Sequence, residues 1–221
     1  MGRDDKSGLF LANPEIGEQF GDLYGAFWCQ GNLSHELKEV IRLRNAQITD
    51  CGYWKNVRFS LAREAGLSED KASLINDGQL QSDLPDHWVP ALKFTDHFIY
   101  TPSPLPKGLL VEIKDAYSRS EITEIALGLG LFHGFSKMLI ALGRQPDEME
   151  TTIIPTPTAP TGVLNITVEK TNPIASLLSA TPNLRNRWLN LENSLWNMGS
   201  YPQNELEKVR LRMANLLRIN S

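Results

Sequence analysis

The amino-acid sequence repeats itself once, without a gap. Residues 14–48 align with residues 182–216 at a constant offset of 168. Nine pairs are identical: Pro14/Pro182, Leu23/Leu191, Trp28/Trp196, Gly31/Gly199, Glu39/Glu207, Arg42/Arg210, Leu43/Leu211, Arg44/Arg212 and Ala46/Ala214. Between them fall conservative apolar pairs, Ile16/Leu184, Phe20/Trp188, Phe27/Leu195 and Ile48/Leu216. The apolar partners recur on a helical period, so each window predicts a pair of amphipathic helices. The chain therefore reads as one full helical module followed by the opening part of another. Cys51 maps onto Ile219, close to the last residue of the sequence, so any reactive site is expected in the first copy.

Composition narrows the class. With 221 residues and 41% apolar content, the chain can build one domain with an appendage, or two small domains. Its formal net charge of −4 offers no broad basic surface, so neither nucleic acid nor a membrane is an expected partner. The basic run Lys208, Arg210, Arg212 and Arg218 reads as a solvated helix face. Two cysteines, Cys29 and Cys51, are too few for a secreted disulfide scaffold. The first residues carry no apolar run of signal-peptide length, and no stretch is expected to span a bilayer. A cytoplasmic location is the expectation.

Most of the chain patterns as helix. Ile16, Phe20, Leu23 and Phe27 follow Pro14 at helical spacing, and Gly31 and Asn32 end that run. Ser34 caps the next helix, and Thr49–Asp50 offers an N-cap for a helix running from Cys51 to Ala65, with Gly66 at its end. A short helix after Ser68, a polar loop over 78–84 and a helix opening at Pro85–Asp86 follow. Pro102, Pro104 and Pro106 break the last of these. Helices are expected over 107–117 and 121–142, the second capped by Ser118 or Ser120, carrying Ile122, Ile125, Leu129, Phe132 and Ser136 on one stripe and ended by Gly143. Prolines and threonines then make 146–181 a linker or arm. Within it, 163–170 could form one strand that lacks a partner. Helices over 182–198 and 202–218 complete the chain. The expectation is an all-α fold: a helical domain over 8–145, a Pro-rich arm over 146–181 and a partial second copy over 182–221.

The stretch ELKEVIRLRNAQITDCGYWKNVRFSLAREAGLSED and the downstream helix SEITEIALGLGLFHGFSKMLIALG carry a resemblance. Over roughly residues 9–150 the chain resembles the carboxymuconolactone decarboxylase and alkylhydroperoxidase D-like family. The family pattern is a Glu, then twelve residues later Cys-x-x-Cys, then often a His four residues after the second Cys. Glu39 and Cys51 match; Trp54 stands in place of the second cysteine and Arg58 in place of the histidine. The resemblance implies a helical domain of six or seven helices and a homo-oligomer built through them. In peroxidase members the two cysteines cycle through a disulfide while Glu and His move protons. Trp54 cannot resolve a sulfenic acid at Cys51, so that dithiol cycle cannot run here. No cofactor and no metal are implied, and His35, His87, His97 and His133 show no ligand spacing among themselves.

What remains has two sides. A Cys51 in the first turn of a helix would be favoured as thiolate by the N–H groups and helix dipole, giving a thiol pKa below the ordinary range. Arg58 could add positive charge and Glu39 could exchange a proton, while Asp50 would oppose the thiolate. Equally, Cys51 could be a buried small residue and Glu39 could pair with Arg42 or Arg44. The recurrence of Glu39 as Glu207, where no reactive cysteine follows, favours a structural role for it. Tyr53, Trp54 and His133 either line a substrate pocket or pack the core. Three functions follow: a thiol-dependent peroxidase using Cys51, a small peroxide and an external thiol reductant; a decarboxylase using Glu39, Arg58 and His133 on a small carboxylate; and a non-catalytic family member acting in assembly or small-molecule binding.

Overall fold

Asn13 starts the first helix by accepting from the Ile16 N–H, and Pro14 follows where a missing N–H costs nothing. The computed structural model describes residues 13–75, 84–160, 173–197 and 201–217. Helix α1 spans Pro14–Cys29 and α2, capped by Ser34, spans His35–Ile48. A broken segment follows: α3 (Gly52–Asn56), strand β1 (Val57–Phe59), α4 (Ser60–Glu64) and α5 (Glu69–Ser73). Then come α6 (Val89–Tyr100), α7 (Lys107–Ala116), α8 (Arg119–Ala141), strand β2 (Thr152–Ile154), α9 (Pro173–Leu177) with a 3-10 turn (Leu178–Ala180), α10 (Pro182–Asn197) and α11 (Gln203–Leu216). The fold is all-α, with one two-stranded sheet among the described residues.

The core forms where α2 packs between α6 and α8. Ser118 and Glu121 open α8 with reciprocal capping bonds, and Ile125, Leu129, Phe132 and Leu139 bury its inner stripe. By length and composition α8 could cross a membrane, contrary to the expectation that no stretch could. Half of its apolar window is buried inside the molecule, which is the pattern of a core helix.

The helix expected from Cys51 to Ala65 is interrupted. Arg42, on α2, takes the Trp54 and Val57 carbonyls at 2.7 and 2.6 Å, and Glu39 takes the Phe59 N–H at 3.1 Å. Those groups are thereby withdrawn from helical bonding, and 57–59 extends. Val57, Arg58 and Phe59 pair in parallel with Thr152, Ile153 and Ile154. The partner strand thus lies in the Pro-rich arm but upstream of 163–170, which lies outside the described residues, as do 78–83 of the polar loop.

The described part of the arm is fastened along the module. Thr156 Oγ accepts the Leu61 N–H at 2.9 Å, Gln30 donates to the Pro160 carbonyl at 3.2 Å, and Gln145 accepts the Gly52 N–H at 2.5 Å. The arm crosses α1 at Gly25, where a Cβ would overlap the Thr158 carbonyl and the Ala159 nitrogen. Gly25→Ala should therefore lift the arm off α1, cost about 1–3 kcal/mol, and speed proteolytic cleavage between 146 and 160. Unaltered cleavage and unaltered melting would show that the arm does not depend on this crossing.

The repeat is reproduced to the residue. Adding the offset of 168 to the bounds of α1 and α2 gives the bounds of α10 and α11. Helix α10 lies antiparallel on its own counterpart α1. Asn183 in its first turn reaches Gln30 at 2.6 Å, and Arg187 one turn on sits 3.1 Å from Asp22. Leu184 and Leu191 enter the core. Helix α11 buries no residue, although its counterpart α2 is the most buried helix of the first copy.

Candidate functional site around Cys51

The turn that ends α2 places Cys51. Asp50 adopts a left-handed φ of 53°, its N–H bonds the Gln47 carbonyl, and the Cys51 N–H reaches back to the Ala46 carbonyl at 2.9 Å. Asp50 is thus the residue that closes α2, and the N-cap of α3 is Cys51 itself. The Asp50 carboxylate turns to solvent and pairs with Lys55 at 2.5 Å.

The Cys51 side chain is fully buried. Burial pushes its thiol up from the ordinary value. The Trp54 N–H, the Ser136 hydroxyl, the Tyr53 N–H and the Arg42 charge pull the other way without overcoming it. The expectation of a depressed thiol pKa is therefore reversed, because a helix N-terminus of five residues cannot repay the dehydration of a thiolate. The two N–H groups bear on the sulfur without completing a full cap hydrogen bond.

A polar chain leads away from this sulfur. Ser136 accepts from Asn45 Nδ2 at 3.1 Å, and Asn45 Oδ1 faces His133 Nδ1 at 3.1 Å. The Asn45 oxygen can only accept, so His133 Nδ1 carries the proton. The donors run from imidazole to amide and from amide to hydroxyl, and the Ser136 hydroxyl favours the thiolate of Cys51. An amide passes protons poorly, so the chain orients the Ser136 hydroxyl on the sulfur rather than conducting a proton. His133 is partly exposed, and burial, aided by Lys137, lowers its pKa and keeps the ring neutral. Asn45 and Ser136 were not among the expected site residues. The pairing of α2 with α8 brings them to Cys51 across 91 residues of sequence separation between them.

The other expected residues are engaged elsewhere. Glu39 makes a two-point pair with Arg42 at 2.7 and 2.8 Å, both side chains 1% exposed. Arg58 sits on β1, not on a helix, and its guanidinium binds Glu69 at 3.1 Å and the Lys55 and Val57 carbonyls. Tyr53 and Trp54 are buried with ring centroids 4.7 Å apart, and Trp54 also packs on Phe135 at 5.3 Å and under the Arg42 guanidinium. Among the described residues no cluster of His, Cys, Asp and Glu could hold a metal ion. Cys29 is exposed and donates to the Pro157 carbonyl at 3.1 Å, on the arm rather than beside Cys51. A second buried ionisable group, Lys38, donates to the Trp28 carbonyl; burial pushes it down to about 8, with Glu124 opposing.

Comparison with known proteins agrees with this architecture. The chain is similar to two uncharacterised proteins from Mycobacterium tuberculosis strains, Rv2313c and MT2376, each 29% identical over 105 residues. That match covers 48% of this chain and 37% of theirs, so the chain spans little more than a third of those relatives. The uncharacterised protein YdfG of Bacillus subtilis is 20% identical over 117 residues, covering 52% of this chain and 80% of YdfG. A solved structure from Agrobacterium tumefaciens shares the fold with a TM-score of 0.54 at 20% identity, covering 63% of this chain and 97% of that one. It is described as a protein of unknown function for which an antioxidant defence role of the AhpD type is suggested. Residues 14–79 match the model of the carboxymuconolactone decarboxylase family. The matched region holds Glu39, Cys51 and the turn between them, so the first module of this chain is similar to the carboxymuconolactone decarboxylase family and has an alkylhydroperoxidase D-like fold.

Proposed function

We propose that this protein is a single-cysteine thiol peroxidase. The observation that carries the reading is the chain from His133 through Asn45 and Ser136 to the Cys51 sulfur. It leads three polar side chains, one after another, toward one buried thiol, and a merely packed cysteine needs none of them. In the reaction the Cys51 sulfur attacks the distal oxygen of a hydroperoxide. The O–O bond breaks, the thiol proton leaves with the alcohol, and a sulfenic acid remains. Two equivalents of an external thiol then reduce it, releasing water and a disulfide of that reductant. Ser136 donates to the thiolate and holds it; His133 and Asn45 are positioning residues.

The test is trapping. Cumene hydroperoxide followed by dimedone should add one dimedone to Cys51, located by mass spectrometry, and Cys51→Ser should abolish both the adduct and thiol-dependent turnover. Cys29→Ser should leave both intact. His133→Ala should slow adduct formation by up to about tenfold, the scale of losing one oriented neutral hydrogen bond, with unchanged melting. A second reading, a non-catalytic family member, is favoured by the full burial of Cys51 and the upward shift of its thiol. A folded protein whose Cys51 takes no dimedone after excess peroxide would decide for that reading.

A further inference from the structure

The outer stripe of α8, opposite its core stripe, forms one wall of a half-open cavity of about 250 Å3. Thr123, Ala126 and Gly130 supply that wall; Phe98 from α6, Leu177 from α9 and Trp188 from α10 face it. The C-terminal repeat therefore builds part of a site that the first module could not close alone. The lining is apolar. Thr123 spends its hydroxyl on the Arg119 carbonyl at 2.8 Å. The indole N–H of Trp188 is buried and has no hydrogen-bond partner among the described residues.

Those features select a ligand. A buried apolar cavity of about 150 Å3 accommodates benzene, so about 250 Å3 suits a two-ring molecule. An ion would lose its hydration here with no countercharge among the lining residues. Phe98 and Leu177 stand 40% and 65% exposed at the rim, where a bound molecule would cover them. We infer that this cavity binds a neutral, apolar aromatic or alicyclic molecule of two-ring size. The site is separate from Cys51 and stands whether or not that thiol is reactive.

The probe is 6-propionyl-2-(dimethylamino)naphthalene, a neutral two-ring dye with a carbonyl acceptor and polarity-dependent emission. The full chain should bind it saturably, one to one, with blue-shifted emission. Gly130→Leu should weaken binding more than tenfold with no loss of melting temperature. A Cβ at Gly130 meets nothing within 4 Å, so the side chain fills the cavity, and leucine suits a helix better than glycine. 2-Ethylnaphthalene, which carries no polar group, should displace the dye competitively. Absence of saturable binding to the native chain overturns the inference, as does equal affinity in Gly130→Leu. A native dimer that binds no dye and becomes monomeric with Gly130→Leu also overturns it, because a second copy then fills the cavity.

Discussion

Glu39→Gln should lower the thermal midpoint by roughly 6–20 °C, while Glu207→Gln, the same position in the repeat, should leave it unchanged. The two glutamates make the same two-point pair with an arginine three residues on, Glu39 with Arg42 and Glu207 with Arg210. Their surroundings differ. Arg42 and Glu39 are 1% exposed, whereas Arg210 and Glu207 stand in solvent. Removing one partner of a buried pair strands the other charge and costs about 3–5 kcal/mol, and about 2–4 °C per kcal/mol is usual at this chain length. A solvated pair contributes little. The cost for Glu39 is compounded because Arg42 also holds the Trp54 and Val57 carbonyls, and Glu39 the Phe59 N–H. The pair is the clamp that bends the chain out of α3 into β1. Calorimetry on both variants is decisive: equal shifts would mean that the buried pair is no more valuable than the exposed one. A still-folded Glu39→Gln that trapped dimedone at the native rate would also separate the clamp from the chemistry at Cys51.

Local chemistry made much of the fold legible. Asn13, Ser34 and Ser118 cap helices as their side chains predict, and Gly66 and Gly143 end them with φ of 99° and 60°. The repeat, read as paired letters, returned as paired helices with equal bounds. What failed was local inference where distant groups decided the outcome. Nothing in VRFSL announces a strand; its partner lies nearly a hundred residues away, and Arg42 reaches in from another helix. Asp50 passes for an N-cap, but its left-handed φ serves the end of the preceding helix. The site suffered in the same way. Glu39 and Cys51 stand at a recognisable spacing, yet Glu39 is held by Arg42 while Ser136 bears on the sulfur and Asn45 on Ser136. Ser136 showed only as a polar break in an apolar stripe, and Asn45 gave no signal at all. The reversal of the thiol shift has one physical source: sequence shows the helix start but not the burial.

Truncation should divide the repeat into a part that matters and a part that does not. Removing residues 203–221 takes away α11, in which no described residue is buried, and should leave the melting temperature where it is. Removing residues 161–221 takes α10 as well and should make the remainder aggregate or melt far lower. Leu184 and Leu191 are 1% and 8% exposed against the first module, and Arg187, 3% exposed, sits on Asp22 of α1. Each buried leucine is worth about 1.5–3 kcal/mol, and α1 would present its own apolar side chains to water in return. That sum is a large share of the roughly 5–15 kcal/mol that holds a domain together. A long deletion alone could fail for want of an intact chain, so Leu184→Ala in the full protein provides the independent check. It should cost about 2–5 kcal/mol, whereas Leu216→Ala, at 59% exposure on α11, should cost nothing measurable. If both substitutions were silent and the long truncation stayed soluble with an unshifted midpoint, α10 would be a passenger on α1. If the short truncation alone changed the mass in light scattering, α11 would be the contact by which copies of this chain assemble, its Val209, Met213 and Leu216 being covered by a neighbour.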